Sequence, residues 1–126
     1  MKAKDIMSTP VVETKGNDTL ANTKSLFTRN KISSAVIMKE NGEIEGIISS
    51  TDLAAIHNEN LMVRQVMSKR IHVCALNARV KDVARTMINE EFHHIIVMED
   101  GKVSGMISSL DVIKGLLSEM DQCKQV

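Results

Sequence analysis

The spacing of apolar residues along the chain changes between a helical period and a strand-like period several times. In residues 80–88, apolar side chains recur at i, i+3, i+4, i+7 and i+8, which predicts an amphipathic helix with one buried face. A weaker pattern of the same period covers residues 20–27. Capping-type residues precede both segments, Asn17-Asp18 before the first helix and Asn77 before the second.

Short apolar runs predict strands on both sides of each helix. The strands before the helices are expected at Val11-Val12 and Ile71–Val73. After each helix, two apolar runs flank an Asn-Gly or Asp-Gly turn, and both dipeptides favour hairpins. The hairpin strands are predicted at Ala35–Met38, Ile44–Ser49, Ile95–Met98 and Val103–Ser108. Closing helices are expected to begin near Thr51-Asp52 and Leu110-Asp111.

The same order of elements occurs twice because the sequence itself repeats. Ile6-Met7-Ser8 recurs as Val66-Met67-Ser68, and after Asn41, which has no counterpart, the repeat distance shortens by one residue. We therefore predict two units, residues 1–60 and 61–126. Because a unit of this size buries little surface alone, we expect an α+β fold in which two β-α-β-β-α units pack by pseudo-twofold symmetry into one composite domain.

Each repeat ends in the same short motif, Gly-apolar-apolar-Ser-x-x-Asp, found at Gly46–Asp52 and Gly105–Asp111. The apolar pair suits a buried strand, and the glycine permits a bulge or a close approach of backbone. The serine and aspartate fall where a helix begins and free backbone N–H groups collect. From the residues alone, two interpretations stay open: the aspartate caps the helix, or the serine and aspartate hold a ligand.

Composition narrows the classes of function. Sixteen basic residues balance sixteen acidic ones, and the only aromatic residues are Phe27 and Phe92, which argues against nucleic-acid binding by charge or by base stacking. No apolar run approaches the roughly 20 residues that span a bilayer, and the N-terminal residues lack the apolar centre of a signal peptide. We therefore expect a cytoplasmic protein that does not interact with membranes.

The reactive side chains do not combine into a recognisable catalytic or metal site. Cys74 and Cys123 have no identifiable base in the sequence, and they fit a reducing compartment. His93 and His94 are adjacent, so on a strand they point to opposite faces and do not readily bind one metal ion together. We predict that the protein is not an enzyme, binds no metal and requires no cofactor.

The whole chain resembles a tandem pair of CBS domains, an arrangement called a Bateman module. The resemblance rests on the segment DIMS, the glycine at the hairpin turn and the segment GIISSTDL of the first repeat, together with their counterparts in the second. It implies a stand-alone CBS-domain protein that senses a regulatory ligand. The effectors that it implies contain adenosine, namely AMP, ADP, ATP, S-adenosylmethionine or NAD, bound in the cleft between the two units.

The resemblance also implies which residues contact such a ligand. Asp52 and Asp111 would bind ribose hydroxyls, and Ser49 and Ser108 would contact phosphate or sugar. The adenine pocket would be lined by residues of the first strand and of the start of the second: Val12, Thr14, Ser33, Ala35, Val73, Ala75, His93 and Ile95. Family members often have proline where this chain has Ala35 and Ile95. The two sites are expected to differ, because His93-His94 replaces Ser33-Ser34.

Two functions follow from this resemblance. In the first, the module passes ligand occupancy to an unidentified regulated protein and forms a homodimer through the closing helices. The apolar residues expected on those helices are Leu53, Ala54, Ile56, Val112, Ile113, Leu116 and Leu117. In the second, the same fold binds no ligand and serves as a scaffold for protein association.

Overall fold

The computed structural model describes residues 1–124 and shows a mixed α+β protein. The predicted β-α-β-β-α order is confirmed in both repeats. The first repeat contains β1 (Glu13–Lys15), α2 (Leu20–Asn30), β2 (Ser34–Met38), β3 (Ile44–Ser49) and α3 (Ser50–Ala55). The second contains β4 (Val73–Ala75), α4 (Val80–Glu90), β5 (His94–Glu99), β6 (Lys102–Ser108) and α5 (Ser109–Lys124). A short helix, α1 (Ala3–Ile6), precedes the first set, and a 3₁₀ turn (Val63–Gln65) precedes the second.

Each repeat builds a three-stranded sheet with the same topology. The first strand runs parallel to the second, and the second pairs antiparallel with the third, in the orders β1-β2-β3 and β4-β5-β6. The starts of the first two strands and the end of the third therefore lie at one end of the sheet, and the hairpin turn lies at the other. The Ser-x-x-Asp motif sits at the end opposite the hairpin.

The first strands begin later than the hydrophobic pattern predicted. Val11-Val12 precedes β1, and only the last residue of Ile71–Val73 belongs to β4. Pairing decides these bounds, since Glu13 is in register with Val36 and Val73 with Ile96. A strand of three residues turns one central side chain toward the helices and leaves the flanking two exposed. The residues of these two strands are therefore mostly polar or small. Most of the apolar residues from which the strands were predicted lie just before them in the sequence.

The helices follow the predicted periodicity except at Ile88, which is 76% exposed rather than buried, and their caps differ from the prediction. Thr19 is the N-cap of α2, and its hydroxyl accepts a hydrogen bond from the Asn22 backbone N–H at 3.2 Å. Asp18 supports this cap by accepting from the Thr19 N–H at 3.0 Å. The prediction that Asn77 caps the second helix is wrong, because α4 starts only after Arg79, whose side chain makes no cap bond.

The chain forms two compact units, each with its own core. One is Val12–Ile71, and the other combines Met1–Val11 with the chain from His72 onward. Val63, at the start of the second repeat, is buried in the core of the first unit, and Ala3 is buried in the core of the second. The predicted boundary at residue 60 follows the sequence repeat. In the structure, the leading segment of each repeat, residues 1–11 or 61–71, instead packs with the sheet of the other repeat.

Gly46, the first residue of the motif, allows this leading segment to lie directly on the sheet. Ser68 exchanges two backbone hydrogen bonds with Ile47, at 2.9 and 3.0 Å. A Cβ on Gly46 would lie 2.7 Å from the Ser68 carbonyl oxygen and 2.6 Å from the Met67 sulfur. The adjacent residue, Glu45, is the extra residue of a β-bulge. The sequence prediction of a bulge or close approach at this glycine is thus confirmed for both features.

We expect Gly46→Ala to lower the free energy of unfolding by about 1–2 kcal/mol, because the backbone oxygen of Ser68 cannot yield without breaking its pairing. Gly105→Ala is the matched control. The three atoms nearest to a Cβ there all belong to the Met7 side chain, at 2.5–2.9 Å, and the outer part of that side chain can move. Urea unfolding of the two variants provides the measurement. A loss at Gly105 equal to or larger than that at Gly46 would contradict this account of the close approach.

Candidate functional site

The Ser-x-x-Asp motif forms a hydrogen-bonded corner where each closing helix begins. Ser49 is the N-cap of α3, and its hydroxyl accepts from the Asp52 N–H at 3.2 Å, while Asp52 Oδ2 accepts from the Ser49 N–H at 2.9 Å. Ser108 and Asp111 repeat both bonds at 3.1 and 2.9 Å. This arrangement is a capping box. The motif does cap the helix, as one interpretation expected, but the N-cap residue is the serine and not the aspartate.

The capping role occupies only one oxygen of each carboxylate. Within residues 1–124, every hydrogen bond that Asp52 or Asp111 accepts goes to Oδ2, and both side chains are half-buried. An ionised carboxylate can accept about four hydrogen bonds, so Oδ1 keeps its capacity for another donor. The capping box also fixes the orientation of the carboxylate before anything binds. Capping and ligand contact are thus compatible in one residue.

Sheet pairing brings the start of the second strand to the same corner. Ser34 is in register with Ser49, and His94 with Ser108. The backbone N–H groups of the first helical residues, Ser50 and Ser109, donate to the carbonyl oxygens of Ser33 and His93, in both cases at 2.8 Å. Ser33 and His93 are both exposed. The structure therefore places these two predicted residues beside Asp52 and Asp111, respectively.

Three other predicted contacts are buried inside their units. Ala35 and Ile95 are 0% and 3% exposed and belong to the two cores. Thr14 is also buried, and its hydroxyl donates to Asp18 Oδ2 at 3.2 Å. Because these side chains already have partners within the unit, they leave the set of proposed ligand contacts.

The first-strand residues selected from the two repeats lie on opposite faces of equivalent strands. Strand register makes Thr14 equivalent to Cys74, and Glu13 and Lys15 equivalent to Val73 and Ala75. Val73 is 55% exposed and Ala75 is exposed, while Val12 is half-buried and packs against the core of its unit. The exposed face of the first strand is therefore apolar in the second repeat, but it carries a carboxylate and an ammonium group in the first.

The sequence pattern of the CBS domain matches residues 3–58 and again residues 63–118. The chain belongs to the CBS domain family. It is a tandem pair of this regulatory module, as the sequence resemblance predicted. CBS domain pairs are typically regulatory rather than catalytic. In residues 1–124, no helix combines the length and apolar character needed to cross a bilayer.

The CBS pair is similar to several known proteins. Protein MJ1426 of Methanocaldococcus jannaschii is 27% identical, over 93% of this chain and 92% of that protein. Several other curated relatives are longer, and this chain spans less than half of their length. Among solved structures, the CBS domain pair of protein MJ0100 in complex with 5′-methylthioadenosine and S-adenosyl-L-methionine is similar at TM-score 0.85 and 23% identity, covering 94% of this chain and 98% of that one.

Another similar structure is the hexameric CBS-CP12 protein from bloom-forming cyanobacteria. It matches at TM-score 0.80 and 23% identity, covering 90% of this chain and 69% of that one. At these levels of identity, the two solved structures establish that the CBS pair shares their fold.

Sequence reasoning missed an aromatic stack beside the second corner of the CBS pair. The rings of His72 and Phe92 are parallel to within 5°, with centroids 3.5 Å apart, and His72 Nδ1 lies 3.4 Å from Glu90 Oε2. His72 Nε2 is buried and has no hydrogen-bond partner in the described part of the chain. Because His72 corresponds to Val12 in the repeat, the only available signal was a histidine at a position that is apolar in the other copy. Phe92 directly precedes His93, so the stack adjoins the second corner along the chain.

The remaining reactive side chains do not form a second site. Burial raises the pKa of the Cys74 thiol, which disfavours the reactive thiolate. In residues 1–124, no three metal-ligating side chains of His, Cys, Asp or Glu cluster together. Of the predicted site residues, Asp52 and Asp111 at the Ser-x-x-Asp corners keep a carboxylate oxygen that can accept a further hydrogen bond.

Proposed function

We propose that this CBS pair is a regulatory module that senses an adenosine-containing ligand through its Ser-x-x-Asp corners. The observation that carries the proposal is the state of Asp111, whose carboxylate is oriented by the capping box through Oδ2 and retains Oδ1 for a donor. The vicinal hydroxyls of a ribose are two such donors on adjacent carbons. A charge-assisted hydrogen bond of this kind is about twice as strong as a neutral one.

We propose the second corner as the stronger of the two sites. Beside it, the exposed face of β4 offers Val73 and Ala75, an apolar surface on which an adenine ring can lie. The exposed His93 adds a donor for phosphate or for a carboxylate. At the first corner the equivalent positions are Glu13, Lys15 and Ser33, so a flat base would meet charged side chains rather than an apolar face.

A relative supports the class of ligand. The structure of the CBS domain pair of MJ0100 contains 5′-methylthioadenosine and S-adenosyl-L-methionine, both of which carry an adenosyl group. We propose that this chain recognises the adenosyl group that the two compounds share, and not a phosphate or a sulfonium. Ligand occupancy would change the activity of a regulated partner only to the extent that the ligand prefers one state of the module over another.

We also propose that the module forms a homodimer through α5. The exposed residues of this helix make a stripe at i, i+3, i+7 and i+10, hereafter the α5 stripe: Leu110, Ile113, Leu117 and Met120. Two residues expected on the dimer face, Leu53 and Val112, are instead 4% exposed and lie in the cores of their own units. The proposed dimer surface therefore keeps Ile113 and Leu117 from the expected residues and adds Leu110 and Met120.

A thermal-shift titration tests the ligand proposal against the ligand-free scaffold. The panel contains AMP, ATP, S-adenosylmethionine, 5′-methylthioadenosine and NAD, with GMP and GTP as controls that share ribose and phosphate but not adenine. We expect at least one adenosyl compound to raise the melting temperature in a saturable manner, because a ligand that binds only the folded state stabilises it. If a well-folded protein gains nothing from any of them, the scaffold is favoured.

A further inference from the structure

We propose that the groove at the hairpin end of the first sheet binds a small phosphate-bearing anion. The groove lies within the compact unit Val12–Ile71, encloses about 880 Å³ and is lined by Lys15, Lys39, Arg64 and Lys69 around the Glu45 carboxylate. It is separated from the Ser49–Asp52 corner by the length of β3, roughly 17 Å. The site is therefore distinct from the one proposed for the adenosyl ligand.

The groove is lined by more positively charged than negatively charged side chains. Its lining has four cationic side chains and two carboxylates, those of Glu40 and Glu45. Glu45 is already paired, because it accepts from Arg64 Nε at 2.5 Å and from Nη2 at 3.2 Å. This bidentate bond, with Lys39 and Lys69 nearby, holds the pKa of the Glu45 carboxyl below its ordinary value despite partial burial. Because Glu45 is paired with Arg64, little negative charge remains in the lining to balance the charge of the three lysines.

The lysines are also available for an added anion. Lys15 and Lys69 form no ion pair in the described part of the chain, and all three lysines are exposed. Lys39 Nζ is 3.9 Å from Glu43 Oε2, an exposed pair that contributes little to stability. A lysine ammonium binds phosphate as a point charge, without the fixed geometry of a guanidinium. Three such groups around one groove suit a phosphoryl group.

The backbone and the Arg64–Glu45 ion pair meet at Gly16, which lines the groove. The Gly16 carbonyl accepts from the Arg64 N–H at 2.9 Å. A Cβ at Gly16 would lie 2.7 Å from Glu45 Oε2 and 2.8 Å from Arg64 Nη2, so only glycine leaves room for the pair in this position. Gly16 therefore allows the Arg64–Glu45 pair to lie against the backbone beside the lysines.

The second repeat shows that the fold does not require this groove. At the positions equivalent to Lys15, Lys39 and Lys69, it carries Ala75, Glu99 and Thr9, and Leu76 replaces Gly16. The equivalent of Arg64 is Lys4 and that of Glu45 is Ser104, so the ion pair is absent there as well. The equivalent positions thus carry one cation, Lys4, and two carboxylates, those of Glu99 and Asp100. The positive groove is therefore a property of the first unit alone.

The size of the groove favours a small molecule over a macromolecule. Its volume lies within the roughly 300–1,000 Å³ typical of small-molecule sites. The chain has no net charge and the groove has no aromatic side chain, which is unfavourable for a nucleic acid strand. Inorganic phosphate and tripolyphosphate are suitable probes, since neither contains the adenosyl group that the corners are proposed to recognise.

The test is an amide NMR titration of the full chain with tripolyphosphate at constant ionic strength. We expect saturable shifts at Gly16 and Lys69, with affinity reduced at least tenfold in the double variant Lys39→Glu/Lys69→Thr, which installs the residues of the second repeat. The control Lys102→Glu/Lys114→Thr changes the net charge equally on the other unit and should bind like the parent. Melting temperatures establish that all three proteins are folded.

Two outcomes would overturn this proposal. One is a linear, unsaturated response, which indicates general attraction of anions to surface charge. The other is an equal loss of affinity in the groove variant and in its charge-matched control. Either outcome would leave the adenosyl proposal intact, because tripolyphosphate does not report on the ribose contact.

Discussion

Asp111→Ala is expected to weaken binding of the adenosyl ligand about 10- to 150-fold. The substitution removes the carboxylate oxygen proposed to accept hydrogen bonds from the ribose, and a hydrogen bond to a charged group contributes about 1.5–3 kcal/mol. It also removes the capping-box bond to the Ser108 N–H, at 2.9 Å. That second loss is expected to lower the free energy of unfolding by about 1 kcal/mol. Isothermal titration calorimetry measures the affinity, and urea unfolding measures the stability.

Asp52→Ala is the matched control for this experiment. Asp52 makes the same capping box, with its Oδ2 2.9 Å from the Ser49 nitrogen, so its removal should cost similar stability. Because we place the stronger site at the second corner, its effect on the measured affinity should be much smaller. If both variants bind like the parent, the assignment of the aspartates is wrong. If Asp52→Ala loses binding and Asp111→Ala does not, the order of the two corners is reversed.

The second large effect is expected at the α5 stripe. Ile113→Glu/Leu117→Glu should convert a dimer to a monomer, raising the dimer dissociation constant at least 100-fold. Both side chains are 53% exposed in the single chain. A self-complementary interface would bury each residue in both protomers, so the double variant places four carboxylates there. Burying four added carboxylates without partners costs far more than the apolar contact gains. Sedimentation velocity at micromolar concentration gives the molecular mass directly.

Ile88→Glu provides the control for the stripe substitution. Ile88 lies on α4 outside the α5 stripe and is 76% exposed, so a carboxylate there stays in water. We expect this variant to keep the parent's oligomeric state. A parent protein that sediments as a monomer at micromolar concentration would refute the dimer. Equal dissociation by both substitutions would place the interface elsewhere on the surface.

The sequence was most informative where a pattern was long or a backbone requirement was strict. The hairpins were predicted from Asn41-Gly42 and Asp100-Gly101, and Gly42 and Gly101 adopt φ values of 87° and 76°, which favour glycine. The bounds of β3 match the prediction, because six residues between a turn and a capping serine leave little freedom. In the second unit the repeat gave the same hairpin, but β6 begins at Lys102, one residue before the predicted start.

Short elements were beyond the reach of the same reasoning. The four residues of α1 and the three of the 3₁₀ turn are too few to show a period, so neither was predicted. For the three-residue strands, the sequence could not decide which side chains face the helices. Thr14 was therefore proposed as a ligand contact although it is buried, and its exposed neighbours Glu13 and Lys15 were overlooked.

The candidate site was predictable in its chemistry but not in its detail. Ser108 and Asp111 were identified from the motif, yet the division of labour between the two carboxylate oxygens required the hydrogen bonds themselves. Ile95 lies in a continuous apolar run, where no alternation separates core from surface, and the structure places it in the core. The stack of His72 on Phe92 joins residues 20 positions apart, which no local pattern reveals.

A crystal structure of the protein with the adenosyl compound that stabilises it most tests the central claim most directly. We predict that a ribose hydroxyl lies within hydrogen-bonding distance of the Asp111 carboxylate, about 2.5–2.8 Å, with the base against the exposed face that carries Val73. A ligand bound with its ribose away from both Asp111 and Asp52 would contradict the account.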